Sequence, residues 1–189
     1  MPSSVSHALV AVALGSALAP RPLLRPFLLA GAATAVLIDI DAAGRLLNDG
    51  PGDLEWLGGH RGFTHSLTGA AMFGSLAALA TLGHARFDRA RLRLGLFVAM
   101  AAAAHGALDA FTSIGAETSP VQFFNPFSTR GYTAPWHPIA GPFSELLLCV
   151  LPLLGLTRLI CHYRGIPWPR WRDAQVIELQ LGRGMEARG

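Results

Sequence analysis

The chain has 189 residues, of which 51% are hydrophobic and only 14% charged, and its mean hydropathy is +0.39. A soluble domain carries about 25% charged residues, so this balance excludes an ordinary soluble fold and points to a membrane. The net charge of +3 and pI near 9.5 do not signal nucleic acid, because no basic–aromatic pattern or recognition-helix motif accompanies them.

Five apolar segments follow one another along the chain. The first, 5–19, carries His7 and ends in Ala17-Leu18-Ala19, an A-x-A pattern of the kind cleaved from secreted proteins. No positive charge precedes it and Arg21 and Arg25 follow it, which predicts a retained helix with its C-terminal end in the cytoplasm. The second, 23–40, is entered through Pro22 and Pro26 and closes on Asp39 and Asp41 in "VLIDIDAAG". The loop "GGHRGFTHSL" then brings His60, Arg61 and His65 to the start of the third segment, 65–83. Its Gly58, Gly59 and Gly62 would let backbone approach a ligand closely. The fourth segment, 92–112, holds His105 and Asp109 in "AAAAHGALDAF", and the fifth, about 140–161, holds Glu145 near its start. Cys149 and Cys161 also lie in the fifth; twelve positions along a helix is roughly 18 Å, too far for a bridge, so packing is their expected role. His84, His137 and His162 read as interfacial or loop residues.

A membrane span needs about 17–25 apolar residues. The third to fifth segments qualify, the first is short, and the second is crowded by its prolines. The expected fold is all-α: a polytopic membrane bundle of about four to five apolar helices, with a membrane-embedded domain over 1–166 and a polar cytoplasmic tail over 167–189.

All 15 basic residues are Arg, and 12 of them fall between segments one and two, between three and four, or at and beyond the end of five. Cytoplasmic flanks collect such charge. The N-terminus and the 41–64 and 113–139 loops are therefore expected to face outward, with Arg45, Arg61 and Arg130.

At the outward ends of the five segments stand His7, Asp39, Asp41, His60, Arg61, His65, His105, Asp109 and Glu145. Ionisable groups within a membrane are costly unless paired or functional, and a cation is the simplest shared partner for so many imidazoles and carboxylates. His105 and Asp109 are i,i+4 and share a helical face; imidazole and carboxylate oxygen are standard Zn²⁺ ligands. His60 and His65 are i,i+5, about 140° apart on a regular helix, which places His60 in the loop and His65 in the first helical turn. Asp39 and Asp41 are i,i+2, so one is read as a ligand and the other as orienting a histidine. Individually these residues have plainer readings as helix caps, interfacial groups or a His–Asp ion pair; Glu145 also suits the first turn of a helix.

"SHALV", "LIDID", "GHRGFTHSL", "HGALDAFTSIG" and "NPFSTRGYTAPWHPI", in that order over about residues 6–145, resemble the YdjM-like, LexA-regulated, membrane-bound metal-dependent hydrolases of the bacterial inner membrane. The order His, Asp, His, His-x3-Asp, Glu is also similar to zinc phospholipase C and its nuclease relatives. That similarity implies His7, Asp39 or Asp41, His65, His105, Asp109 and Glu145 as metal ligands, with Asp41 taken as the ligating member of its pair. Additional histidines complete the cluster there, and only His137 could stand in for one.

The expected function is metal-dependent hydrolysis of a phosphoester or lipid-linked substrate at the periplasmic face, with membrane lipid as neighbour. A divalent ion, Zn²⁺ by ligand type, would lower the pKa of a bound water to about 7. Asp39 would orient or deprotonate that water, Arg61 would offer its planar fork to an oxyanion, and His60 would protonate the leaving group. The rival expectation is a non-catalytic membrane protein with a structural or transport metal site. Against transport, the inward halves "MFGSLAALATL" and "LRLGLFVAM" hold almost no polar residues.

Overall fold

The computed structural model describes residues 4–39, 61–111, 120–136 and 138–166. Helix α1 is Ser4–Leu18. A single 3-10 turn, Arg21–Leu23, leads into α2, Leu24–Ile38. Another turn, Phe63–His65, precedes α3, Leu67–Ala80, and α4 is Arg91–Ala110. The last helix, α5, runs Pro142–Tyr163 and contains a π-helical stretch at Leu146–Val150. Among the described residues there is no strand; Val121 and Tyr132 form an isolated antiparallel bridge.

The local sequence explains each boundary. Proline disfavours helical geometry at the residue before it, so α1 stops ahead of Pro20. Pro22 and Pro26 stand in the entry turns of α2, where a missing backbone N–H removes no helical hydrogen bond. With its leading turn, that helix is continuous over Arg21–Ile38 and long enough to cross a membrane. The third segment is shorter than the sequence suggests. Ser66 accepts a hydrogen bond from Gly69 N at 2.9 Å and caps α3, which leaves His65 in a turn of its own, and regular helix ends at Ala80, ahead of Gly83 with its positive φ of 78°. Among the described residues three helices are thus long and apolar enough to span, namely Arg21–Ile38, Arg91–Ala110 and Pro142–Tyr163, while Val5–Leu18 and Leu67–Ala80 are shorter. Residues 1–3, 40–60, 112–119, 137 and the 167–189 tail lie outside the described residues.

Helix α4 is the hub, packed against α1, α2 and α3, and α5 closes on α1. Lipid is as apolar as a leucine side chain, so helices in a membrane associate through close packing rather than through escape from water. Gly74 and Gly95 supply that closeness: a Cβ on Gly74 would lie 2.5 Å from the Gly95 carbonyl oxygen. Phe97 fills the centre, fully buried against Phe27, with ring centroids 5.4 Å apart. Nearer the end that carries Asp39, a second buried cluster consists of Ile38, Ala70 and Ala102. Cys149 and Cys161 are buried and unbridged.

The arginines gather at one end. Arg164 donates to the carbonyls of Ser16, Ala17 and Ala19, which α1 leaves unsatisfied at its C-terminus. Arg21 donates in turn to the Arg164 carbonyl, and Arg86 donates to the Pro22 carbonyl at 3.0 Å. The opposite ends of α1, α2 and α4 hold His7, Asp39, and His105 with Asp109.

Candidate metal centre

Each helix delivers its polar residue for a local reason. His7 lies in the second turn of α1 and is buried. Asp39 is the residue just past α2, where the carboxylate leaves the helix and turns inward, half-buried. Thr64 and His65 sit in the turn that the Ser66 cap fixes, and both are buried. His105 and Asp109 occupy one face of α4, and Asp109 is fully buried. Gly106 lets this face approach the turn: a Cβ there would lie 2.5 Å from the His65 carbonyl oxygen.

The side chains form a chain of near contacts. His7 Nε2 lies 3.4 Å from Asp109 Oδ1, and His65 Nε2 lies 3.3 Å from Asp109 Oδ2. On its other side His65 Nε2 is 3.4 Å from Asp39 Oδ1, and that same oxygen is 3.2 Å from His105 Nε2. The His7 and His105 rings stack with centroids 3.6 Å apart and planes 11° apart. Two overlapping sets of ligand atoms result, His7–His105–Asp109 and Asp39–His65–His105, each within 4.8 Å of one another.

These separations have a physical meaning. A charge-assisted N–H···O bond closes to about 2.7–2.9 Å. Ligands held about 2.0–2.2 Å from a tetrahedral ion stand about 3.3–3.6 Å apart along the tetrahedron's edge. The observed 3.2–3.4 Å matches the second spacing. The ring nitrogens of His7 and His105 are buried and make no hydrogen bond among the described residues, although buried polar atoms nearly always find one. Three imidazoles and two carboxylates so spaced form groups that could hold a divalent cation.

The surroundings orient the donors. Thr64 Oγ1 is 3.1 Å from His65 Nδ1, which leaves Nε2 to face the carboxylates. Arg61 Nε is 3.3 Å from Asp109 Oδ2. Arg61 is buried with a φ of 66°, a left-handed conformation uncommon for a residue other than glycine. Its carbonyl accepts a 3.0 Å bond from Gln122 N, which ties the turn to the following loop. Burial alone would raise the Asp39 carboxyl, but the facing His105 and His65 imidazoles hold it below the usual carboxylate range.

Five of the residues expected at the site thus converge with Arg61: His7, Asp39, His65, His105 and Asp109. Asp39, expected to orient or deprotonate water, lies between the His65 and His105 imidazoles, in one of the two groups that could hold an ion. Asp41, His60 and His137 lie outside the described residues. Glu145 is in neither ligand set; it accepts a hydrogen bond from Ser6, the neighbour of His7. Thr64 went unnoticed in the sequence, where only its adjacency to His65 could have marked it. Arg61 turns its Nε towards Asp109.

The chain is 31% identical over 145 residues to "Inner membrane protein YbcI" of Escherichia coli (strain K12), covering 76% of this chain and 79% of that protein. No solved structure matches. These comparisons give no support to a likeness with zinc phospholipase C or its nuclease relatives. The family described as YdjM inner membrane protein matches residues 1–177, and with a membrane-length helical bundle carrying the motifs of that family, the chain belongs to it.

Proposed function

We propose that this protein is a membrane-bound metal-dependent hydrolase of the bacterial inner membrane, acting at the periplasmic side on a lipid-linked or small phosphoester. The observation that carries the reading is the convergence of three imidazoles and two carboxylates at 3.2–3.4 Å, with the His7 and His105 nitrogens outside any hydrogen bond among the described residues. His7, Asp39, His65, His105 and Asp109 would hold a divalent ion, Zn²⁺ by donor type. The chemistry such an ion would supply is a water acidified to about pKa 7, a nucleophile at neutral pH. Thr64 keeps His65 in the ligating orientation. Arg61 steadies Asp109 and leaves the site with a fixed positive charge that favours an oxyanion, most naturally a phosphoryl group. The arginine-rich end of the bundle lies on the opposite side from the cluster, which supports a periplasmic site under the positive-inside rule.

A structural metal site is the second reading, favoured by the near-complete burial of His7, His65, His105 and Asp109, since closed coordination suits structure and an open position suits catalysis. A transport path finds less support, because the buried cluster of Ile38, Ala70 and Ala102 is apolar.

The test is hydrolysis by zinc-loaded, detergent-purified protein of phosphomonoester and phosphodiester amphiphiles alongside water-soluble analogues. Turnover that disappears in His105→Ala supports the hydrolase. Stoichiometric metal without turnover of any phosphoester would move the site to the structural reading.

A further inference from the structure

The loop between α4 and α5, with the first turn of α5, carries apolar surface that the metal cluster does not explain. Phe127 is 87% exposed, Phe143 74%, Trp136 64% and Phe124 49%. Large aromatic side chains bury 150–250 Å² each when they find cover, so four standing open along one short stretch call for a partner.

The loop is also firmly built. Val121 and Tyr132 pair through two backbone bonds, of 3.0 and 2.9 Å. Gln122 N donates to the Arg61 carbonyl, Leu67 N to the Phe123 carbonyl and Ala134 N to the Ala110 carbonyl, at 3.0, 2.9 and 2.9 Å. Each bond lands on, or within two residues of, a member of the cluster: Arg61, His65 or Asp109. The aromatic surface and the metal ligands therefore share one rigid frame.

Depth identifies the partner. Helix α4 has 20 residues, about 30 Å at 1.5 Å per residue, the thickness of a bilayer's hydrocarbon core. The bond from Ala134 to the last carbonyl of α4 holds the loop at the end of that span, at the level of the headgroups. Next along the chain, Leu146, Leu147, Leu148 and Leu151 of α5 are exposed as well, as side chains that lipid covers would be. Trp and other amphipathic rings concentrate at this level. The exposed Arg130, 5.6 Å from the Tyr132 ring centroid, adds a cation suited to lipid phosphate.

We propose that residues 120–136 and 138–143 form an interfacial rim seated in the headgroup–acyl boundary of the bilayer, with lipid as the surface that covers its aromatic side chains. On the hydrolase reading above, the substrate class that follows is a bilayer-resident amphiphile that reaches the cluster along this rim.

The experiment uses Trp136 as a depth reporter in the full chain, with Trp56, Trp168 and Trp171 replaced by Phe. The protein is reconstituted into phosphatidylethanolamine–phosphatidylglycerol vesicles, with or without phosphatidylcholine brominated in the upper acyl chain. The rim predicts roughly twofold or greater quenching by the brominated lipid, and acrylamide quenching at least about threefold weaker than for free indole. A second reporter, Phe127→Trp in a background with all four tryptophans replaced by Phe, places its probe at the most exposed position and should behave alike. Full acrylamide quenching with no effect of bromine would put the loop in water and overturn the proposal. Quenching by neither would mean that protein, not lipid, covers the rings, and would overturn it too. Zinc content measured on the same preparations reports on the hydrolase reading alone, so failure of one is distinguishable from failure of the other.

Discussion

Gly106→Ala is the most discriminating single substitution, because it alters the cluster without removing a ligand. The added Cβ would lie 2.5 Å from the His65 carbonyl oxygen, about 0.9 Å inside the 3.4 Å at which ordinary contact begins. The obstructing atom is backbone, so the turn Phe63–His65 must move with its imidazole. Metal sites tolerate about 0.2 Å in ligand distance, several times less than the displacement required. Overpacking of this kind costs about 1–3 kcal/mol, and at 1.4 kcal/mol per decade zinc affinity should fall roughly 5- to 150-fold. Gly155→Ala is the control, since a Cβ there meets nothing within 4 Å. The assay is zinc competition against a chromophoric chelator in detergent, on variants that still elute as single species and melt cooperatively. Wild-type affinity in Gly106→Ala would refute the reasoning, because it would mean that His65 can shift by most of an ångström without consequence for the ion.

Removing the ion should loosen the bundle, since a ligand that binds only the folded state contributes about 2.7 kcal/mol at a hundredfold excess over its Kd. Chelation should therefore lower the Tm of the wild type, and His105→Ala, which takes a donor from both ligand sets, should start low and show no further drop. At the other end, Arg164→Ala strips three donations from the last carbonyls of α1. Charged hydrogen bonds contribute about 1.5–3 kcal/mol each when sheltered and less near the surface. A loss of about 2 kcal/mol on denaturant unfolding is expected, with zinc binding intact; a change within about 0.5 kcal/mol, the range of ordinary surface substitutions, would remove the capping role.

Much of this architecture is legible because a membrane makes polar residues conspicuous. His105 and Asp109 stand in an alanine-rich run where nothing else is polar, and their i,i+4 spacing fixes a shared face before any fold is known. His7 and His65 follow from the same contrast, and the arginine asymmetry sorts the two ends of the bundle. What the sequence hides is tertiary. Asp39 and Asp41 are equivalent in a pattern, and only the end of α2 at Ile38 decides that Asp39 is the first carboxylate free of the helix. Glu145 satisfies every local criterion for a ligand, yet α5 packs on α1 at a height that delivers it to Ser6. Thr64 orients His65 through a contact with its immediate neighbour, which no periodicity encodes. The third segment reads as one long apolar run because hydropathy does not register the Ser66 cap that divides turn from helix.

The claim on which the account rests is that the cluster binds a divalent ion through nitrogen and oxygen. Zinc K-edge X-ray absorption on the purified, zinc-loaded protein measures that directly. The account predicts a first shell of nitrogen and oxygen at about 2.0–2.2 Å with outer-shell imidazole scattering that diminishes in His105→Ala. Absent zinc, sulfur ligation at about 2.3 Å, or a spectrum indifferent to His105 would contradict it.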